Sequence, residues 1–89
     1  MEGLIEGRSV HYVMPDGEHR PAIVVKVWDV TGCEGYCNLQ VFTDGSNDLN
    51  DKNKEFIAQE DIRAGICWRT SVCYGEDAAP NTWHWIERA

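Results

Sequence analysis

Apolar positions in this chain fall into short runs separated by turn residues, and most runs alternate instead of recurring at helical spacing. The densest is Arg20–Trp28, RPAIVVKVW, where Lys26 is the only charge after the proline. β-Branched and aromatic side chains at this density suit a pleated surface, and apolar groups at both parities mean that both faces are covered. Arg8–Met14 (RSVHYVM) predicts a preceding strand, joined to Arg20–Trp28 as a hairpin through Pro15-Asp16-Gly17. Asn38–Thr43 (NLQVFT) sets Leu39 and Val41 opposite Asn38 and Gln40. Ile66–Tyr74 (ICWRTSVCY) predicts a strand with Ile66, Trp68, Thr70, Val72 and Tyr74 on one face. Thr82–Ile86 (TWHWI) predicts a last strand, with Trp83 and Trp85 opposite His84. Glu55–Ile62 fits neither period and reads as a short helix or a short strand.

Five short strands between turn signals predict an all-β fold: a small, strongly bent five-stranded β-barrel of the Src-homology (SH3-like) type. It carries one short irregular or helical insertion, and residues 1–89 form a single domain. A five-stranded barrel has limited interior, so the two apolar faces of Arg20–Trp28 predict a homo-oligomer.

Composition narrows the function classes. The net charge is −7, and the eight basic residues are scattered. No basic stripe forms, so direct nucleic-acid binding is not expected. The chain holds no apolar run of membrane-spanning length, and MEGLIEGRSV lacks the apolar stretch of a secretory signal. The expectation is a cytoplasmic protein with no membrane role.

Four cysteines raise a zinc site, with Cys33 and Cys37 spaced C-x3-C and Cys67 and Cys73 spaced C-x5-C. On an extended strand, Cys67 and Cys73 lie roughly 20 Å apart, too far to share one ion. Free, partly buried thiols are the expectation, and no metal site is assigned. His11 and His84 lie in apolar strands and His19 at a turn, where each reads as a hydrogen-bonded packing residue. Ser71, Cys73 and His84 could meet as a nucleophilic set, but no elbow motif supports one. The loop DGSNDLNDKN from Asp44 lacks the spacing of a calcium-binding hand and reads as solvated turns. The aromatic load is mostly core, with Trp83 and Trp85 as the candidates for a platform. Paired with Arg20, Arg69 or Arg88, two indoles could stack a ring and neutralise a phosphate.

The segments GRSVHYV (Gly7–Val13), HRPAIVVKVW (His19–Trp28), NLQVFTDGSND (Asn38–Asp48), WRTSVCY (Trp68–Tyr74) and TWHW (Thr82–Trp85) together resemble a family of small proteins of tailed bacteriophages and prophages. The resemblance covers most of the chain and departs between Leu49 and Gly65, where this sequence is longer. It implies a viral origin and expression in a bacterial host cytoplasm, and it carries over no catalytic residue. The expected function is therefore non-enzymatic: a phage accessory protein that acts in counter-defence by masking a host protein or sequestering a small nucleotide-like signal. Trp28, Arg69, Trp83 and Trp85 would form its contact surface. No cofactor is expected. The alternative class is a minor virion or head/tail assembly component.

Overall fold

The computed structural model describes residues 1–28, 30–32 and 34–87. Its strands are β1 (Ser9–Val13), β2 (His19–Val27), β3 (Cys37–Phe42), β4 (Ile66–Tyr74) and β5 (Thr82–His84). Two short helices, α1 (Asp51–Lys54) and α2 (Gln59–Ala64), lie between β3 and β4. The strands close into a barrel in chain order, β1-β2-β3-β4-β5. The closed five-stranded all-β barrel expected from the pattern is thus the observed architecture. Every pairing is antiparallel except β4 with β5, which is parallel.

The hairpin from β1 to β2 turns at Pro15-Asp16-Gly17, where Gly17 takes φ +93° and donates its N–H to Met14 O. Its register sets Val13 opposite His19 and Ser9 opposite Ile23. The inward set Val10, Tyr12, Ala22, Val24, Leu39, Val41 and Trp83 fills the barrel, and Ile57 and Ile62 of the insertion join it. On β2, Val25 is exposed and Ile23 half-buried, so only one face of this strand is fully covered within one chain.

The alternation predicted for β4 breaks. Ile66, Trp68 and Thr70 face outward, but Val72 is buried with Cys67. The cause is Ser71, which adopts φ 54° where the register against β3 shifts between Cys37 and Leu39. Asn38 braces the irregularity: its Oδ1 accepts from Ser71 N–H (2.8 Å), Thr70 Oγ1 (3.0 Å) and Trp28 Nε1 (3.1 Å). A local bulge of this kind shifts every later side chain to the other face.

The polar loop after Asp44 is not merely solvated. Asp48 and Asn53 are fully buried. Asp48 accepts from Arg20 Nε and Nη2, both at 2.7 Å, and from the Asp44 N–H at 2.7 Å. Asn50 and Asn53 donate to Asp16 Oδ2, tying the insertion to the β1–β2 turn. No helix among the described residues is long and apolar enough to cross a membrane.

Candidate metal centre at the closing seam

The barrel closes where the three-residue strand β5 meets β1, through the pairs His11–His84 and Tyr12–Trp83. Side chains of directly opposed residues share a face. Trp83 and Tyr12 therefore point inward together, and His84 and His11 point outward together. On the other side of β1, His19 opposes Val13, two residues beyond His11 on the same face. Three adjacent strands, β2, β1 and β5, thus present one histidine each to a single spot on the outer wall.

The rings are close, with centroids 5.6 Å apart for His11–His84, 6.0 Å for His11–His19 and 4.6 Å for His19–His84. Glu87 follows β5 and folds back into their midst. Its Oε1 accepts from His11 Nδ1 (2.9 Å) and from His84 Nε2, and its Oε2 accepts from His19 Nδ1 (3.2 Å). One ligand atom from each of His11, His19, His84 and Glu87 lies within 4.8 Å of the others. Partial burial would raise the Glu87 carboxyl, but the bonds from His11 and His84 outweigh it and hold the pKa down to about 2. The group is therefore a carboxylate, able only to accept, and each facing ring nitrogen donates.

His84 is only 7% exposed, and its Nδ1 is buried with no hydrogen-bond partner. That nitrogen is not the one facing Glu87, which is Nε2, so an ion held at Nε2 leaves it unpaired, at a cost of about 1–3 kcal/mol. Glu87, by contrast, has a side chain 54% exposed. Beside the cluster lies an open cavity of about 250 Å³, which shares His19, His84 and Glu87 with it. Its other walls are Tyr74, Ala78 and Trp85, with Glu76. No lysine or arginine among the described residues lines it.

A tetrahedral ion held by nitrogen and oxygen at 2.0–2.2 Å sets neighbouring ligand atoms about 3.4 Å apart. The carboxylate oxygens, at 2.9 Å from His11 Nδ1 and 3.2 Å from His19 Nδ1, need to move outward to admit an ion between them and the rings, and any ligand atoms at the 4.8 Å limit need to draw in by about an ångström. Both lie within reach of side-chain torsions on a half-exposed carboxylate and two half-buried rings. Imidazole and carboxylate together suit zinc and its first-row neighbours.

The residues expected to form a contact surface lie differently. Trp83 is 0% exposed, and its Nε1 donates to Gly35 O in the core. The expectation that it faces a partner is corrected: β5 closes the barrel with Trp83 on the inner side. Trp85 stacks edge-to-face on Trp83 at 5.0 Å and carries the Arg8 guanidinium over its ring at 4.7 Å. Trp28 is half-buried, tied to Asn38 and covered by Lys26 at 5.4 Å. Arg69 lies over Tyr12 at 6.0 Å and donates to Phe56 O. Among the described residues, no hydrogen bond or aromatic pair joins Trp28 or Arg69 to the Trp83–Trp85 pair. Arg88 and Cys33 lie outside the described residues. Cys37, Cys67 and Cys73 are free thiols, the first two buried. Burial pushes the Cys37 thiol up to about 12, and none of the three belongs to the cluster.

Sequence reasoning treated the three histidines one at a time and missed their convergence. The hairpin register alone would have put His19 diagonally beside His11. The position of His84 needs the β1–β5 closure, which no local pattern announces. No family model, curated protein or solved structure matches the chain.

Proposed function

We propose that this protein is a small metal-binding β-barrel in which His11, His19 and His84 supply imidazole nitrogens, and Glu87 a carboxylate oxygen, to one divalent transition ion. Zinc fits the donor set best. The carrying observation is the convergence of four ligand atoms from three strands and the following segment within 4.8 Å. In the absence of an ion the Glu87 carboxylate joins the three rings by accepting a hydrogen bond from each. A cation would take the same ring nitrogens and carboxylate oxygen as its donors. The site departs from the metal-free expectation, and it rests on histidines instead of the cysteines that first suggested zinc.

At the level of biological role, we infer a non-enzymatic accessory binding protein, as the bacteriophage resemblance implies, with the seam and its cavity as the binding centre. Among the described residues, the cavity lining carries two carboxylates and no lysine or arginine, which favours a ligand other than a polyphosphate nucleotide. Isothermal titration of the metal-stripped protein with zinc tests the metal site. One equivalent is expected to bind, and the double variant His11→Ala plus His84→Ala is expected to lose at least a hundredfold in affinity. Equal heats from the folded double variant would remove the site. Native mass spectrometry of the same preparation reads the subunit count and any retained partner.

A further inference from the structure

Glu87 differs from the other three ligands in a way that bears on what the site does. The histidines are anchored on β1, β2 and β5, whereas Glu87 sits beyond the last strand with a side chain 54% exposed. It is held at the cluster only by the rings themselves among the side-chain bonds described. It also lines the adjoining cavity of about 250 Å³, as do His19 and His84. A site closed by four anchored ligands is structural, and one with three fixed ligands and an exchangeable fourth can accept an outside molecule.

We propose, resting on the metal-centre reading, that Glu87 is an internal stand-in for a ligand: the carboxylate of a small monocarboxylic acid takes its coordination position, and the acid's apolar body lies in the cavity. Exchange of one carboxylate for another leaves the charge at the ion unchanged, so desolvation and attraction nearly cancel and the body decides affinity. The body is fixed by the walls. Tyr74 and Trp85 offer aromatic surface and Ala78 a methyl group, enough for a single ring or a short branched chain. Glu76, also on the cavity, sets the charge limit. A second negative group on the ligand meets it with no lysine or arginine among the described lining residues to offset the repulsion, so dicarboxylates and phosphates are disfavoured.

The test uses the full chain loaded with cobalt(II), whose visible bands report coordination. Appearance of those bands on loading establishes the metal centre independently of any acid. Benzoate and acetate are then titrated into the loaded protein. Benzoate is expected to change the bands and to bind about tenfold tighter than acetate, from burial of its ring. Phthalate, with two carboxylates, is expected to bind at least tenfold more weakly than benzoate. Glu76→Gln, an exposed substitution, is expected to narrow that gap, and Glu87→Gln at saturating cobalt to tighten benzoate severalfold. Cobalt bands that stay unchanged up to high benzoate, or identical affinities for acetate and benzoate, overturn the ligand proposal and leave the metal centre standing. Failure of cobalt and zinc to bind at all overturns both.

Discussion

At the scale of single residues, buried polar groups outside the seam carry much of the fold's specificity. Asp48 is fully buried, with both carboxylate oxygens bonded to Arg20 at 2.7 Å in a two-pronged pair. Asp48→Asn keeps the shape but leaves a half-buried guanidinium short of its charge partner. Removing one partner of a buried pair costs 3–5 kcal/mol, and the partial exposure of Arg20 lowers the expectation to about 2–3 kcal/mol, readable by urea unfolding. Asp16 gives an acid-side prediction. Burial pushes its carboxyl up, but the Glu18 N–H, the Asn50 and Asn53 amides and the charge of Arg20 together hold it below the ordinary value of 3.8. A carboxyl depressed in the folded state lends stability that is complete above the unfolded pKa and is lost as pH falls through the folded one. Unfolding free energy should therefore drop below about pH 4, and Asp16→Asn should flatten that part of the curve while lowering stability at neutral pH. A variant whose acid limb matches that of the parent protein would exclude Asp16 as a contributor. Of these groups, the sequence showed only a turn-rich, oxygen-rich loop. Their burial was hidden because Asp, Asn and Arg satisfy one another across 28 to 37 residues of chain, a pairing that local pattern does not encode.

At the scale of elements, legibility follows from whether a strand obeys period 2 throughout. β1, β2 and β3 do so over most of their length, and their boundaries fall within a residue or two of those read from the apolar runs. The strand β4 was found but half misread. Its outward set holds only to Thr70, after which Ser71 at φ 54° carries Val72 inside. The irregularity depends on Asn38, whose Oδ1 takes three donors, one of them the backbone of Ser71. Asn38→Ala strands the Ser71 N–H and the Trp28 indole together, and a loss of about 2–3 kcal/mol is expected in thermal or urea unfolding. Ser71→Gly should do the opposite, adding a few tenths of a kcal/mol or staying neutral, because glycine reaches the left-handed region without the Cβ clash. If Asn38→Ala proves as stable as the parent, the bulge is held by something other than this amide. The shift matters beyond β4, since this strand runs parallel to β5 through Cys73–Thr82 and Tyr74–Trp83. It therefore helps to set where His84 emerges.

At the scale of the whole molecule, β5 is where closure is weakest. It has three residues and only two registered pairs to each neighbour. Backbone pairing of that length is marginal alone. The inward half of the seam is secured by Trp83, buried and edge-on to both Tyr74 and Trp85 at 5.0 Å. The outward half is secured by the three histidines and Glu87. An ion bound there would tie β2, β1 and β5 across the closure, and it would bind only the closed barrel, because the unfolded chain separates His19 and His84 by 65 positions. Ligand that binds the folded state alone stabilises it by about 2.7 kcal/mol at a hundred times its dissociation constant. For a domain of this size, each kcal/mol moves the melting temperature by roughly 4–8 °C. Zinc at that concentration should therefore raise Tm by about 10–20 °C in a calorimetric scan, and excess chelator should reverse the shift. Magnesium should do nothing, since it takes oxygen ligands over imidazole. His84→Ala should abolish the zinc-dependent increment while costing the metal-free protein less, since one nitrogen of its ring is bonded to Glu87 and the other, buried, has no partner whether or not an ion is bound. A zinc increment that persists in His84→Ala would place the ion elsewhere. Loss of the fold in the metal-free parent would instead make the seam a site whose ion is required for closure, in the manner of small domains that fold around their metal.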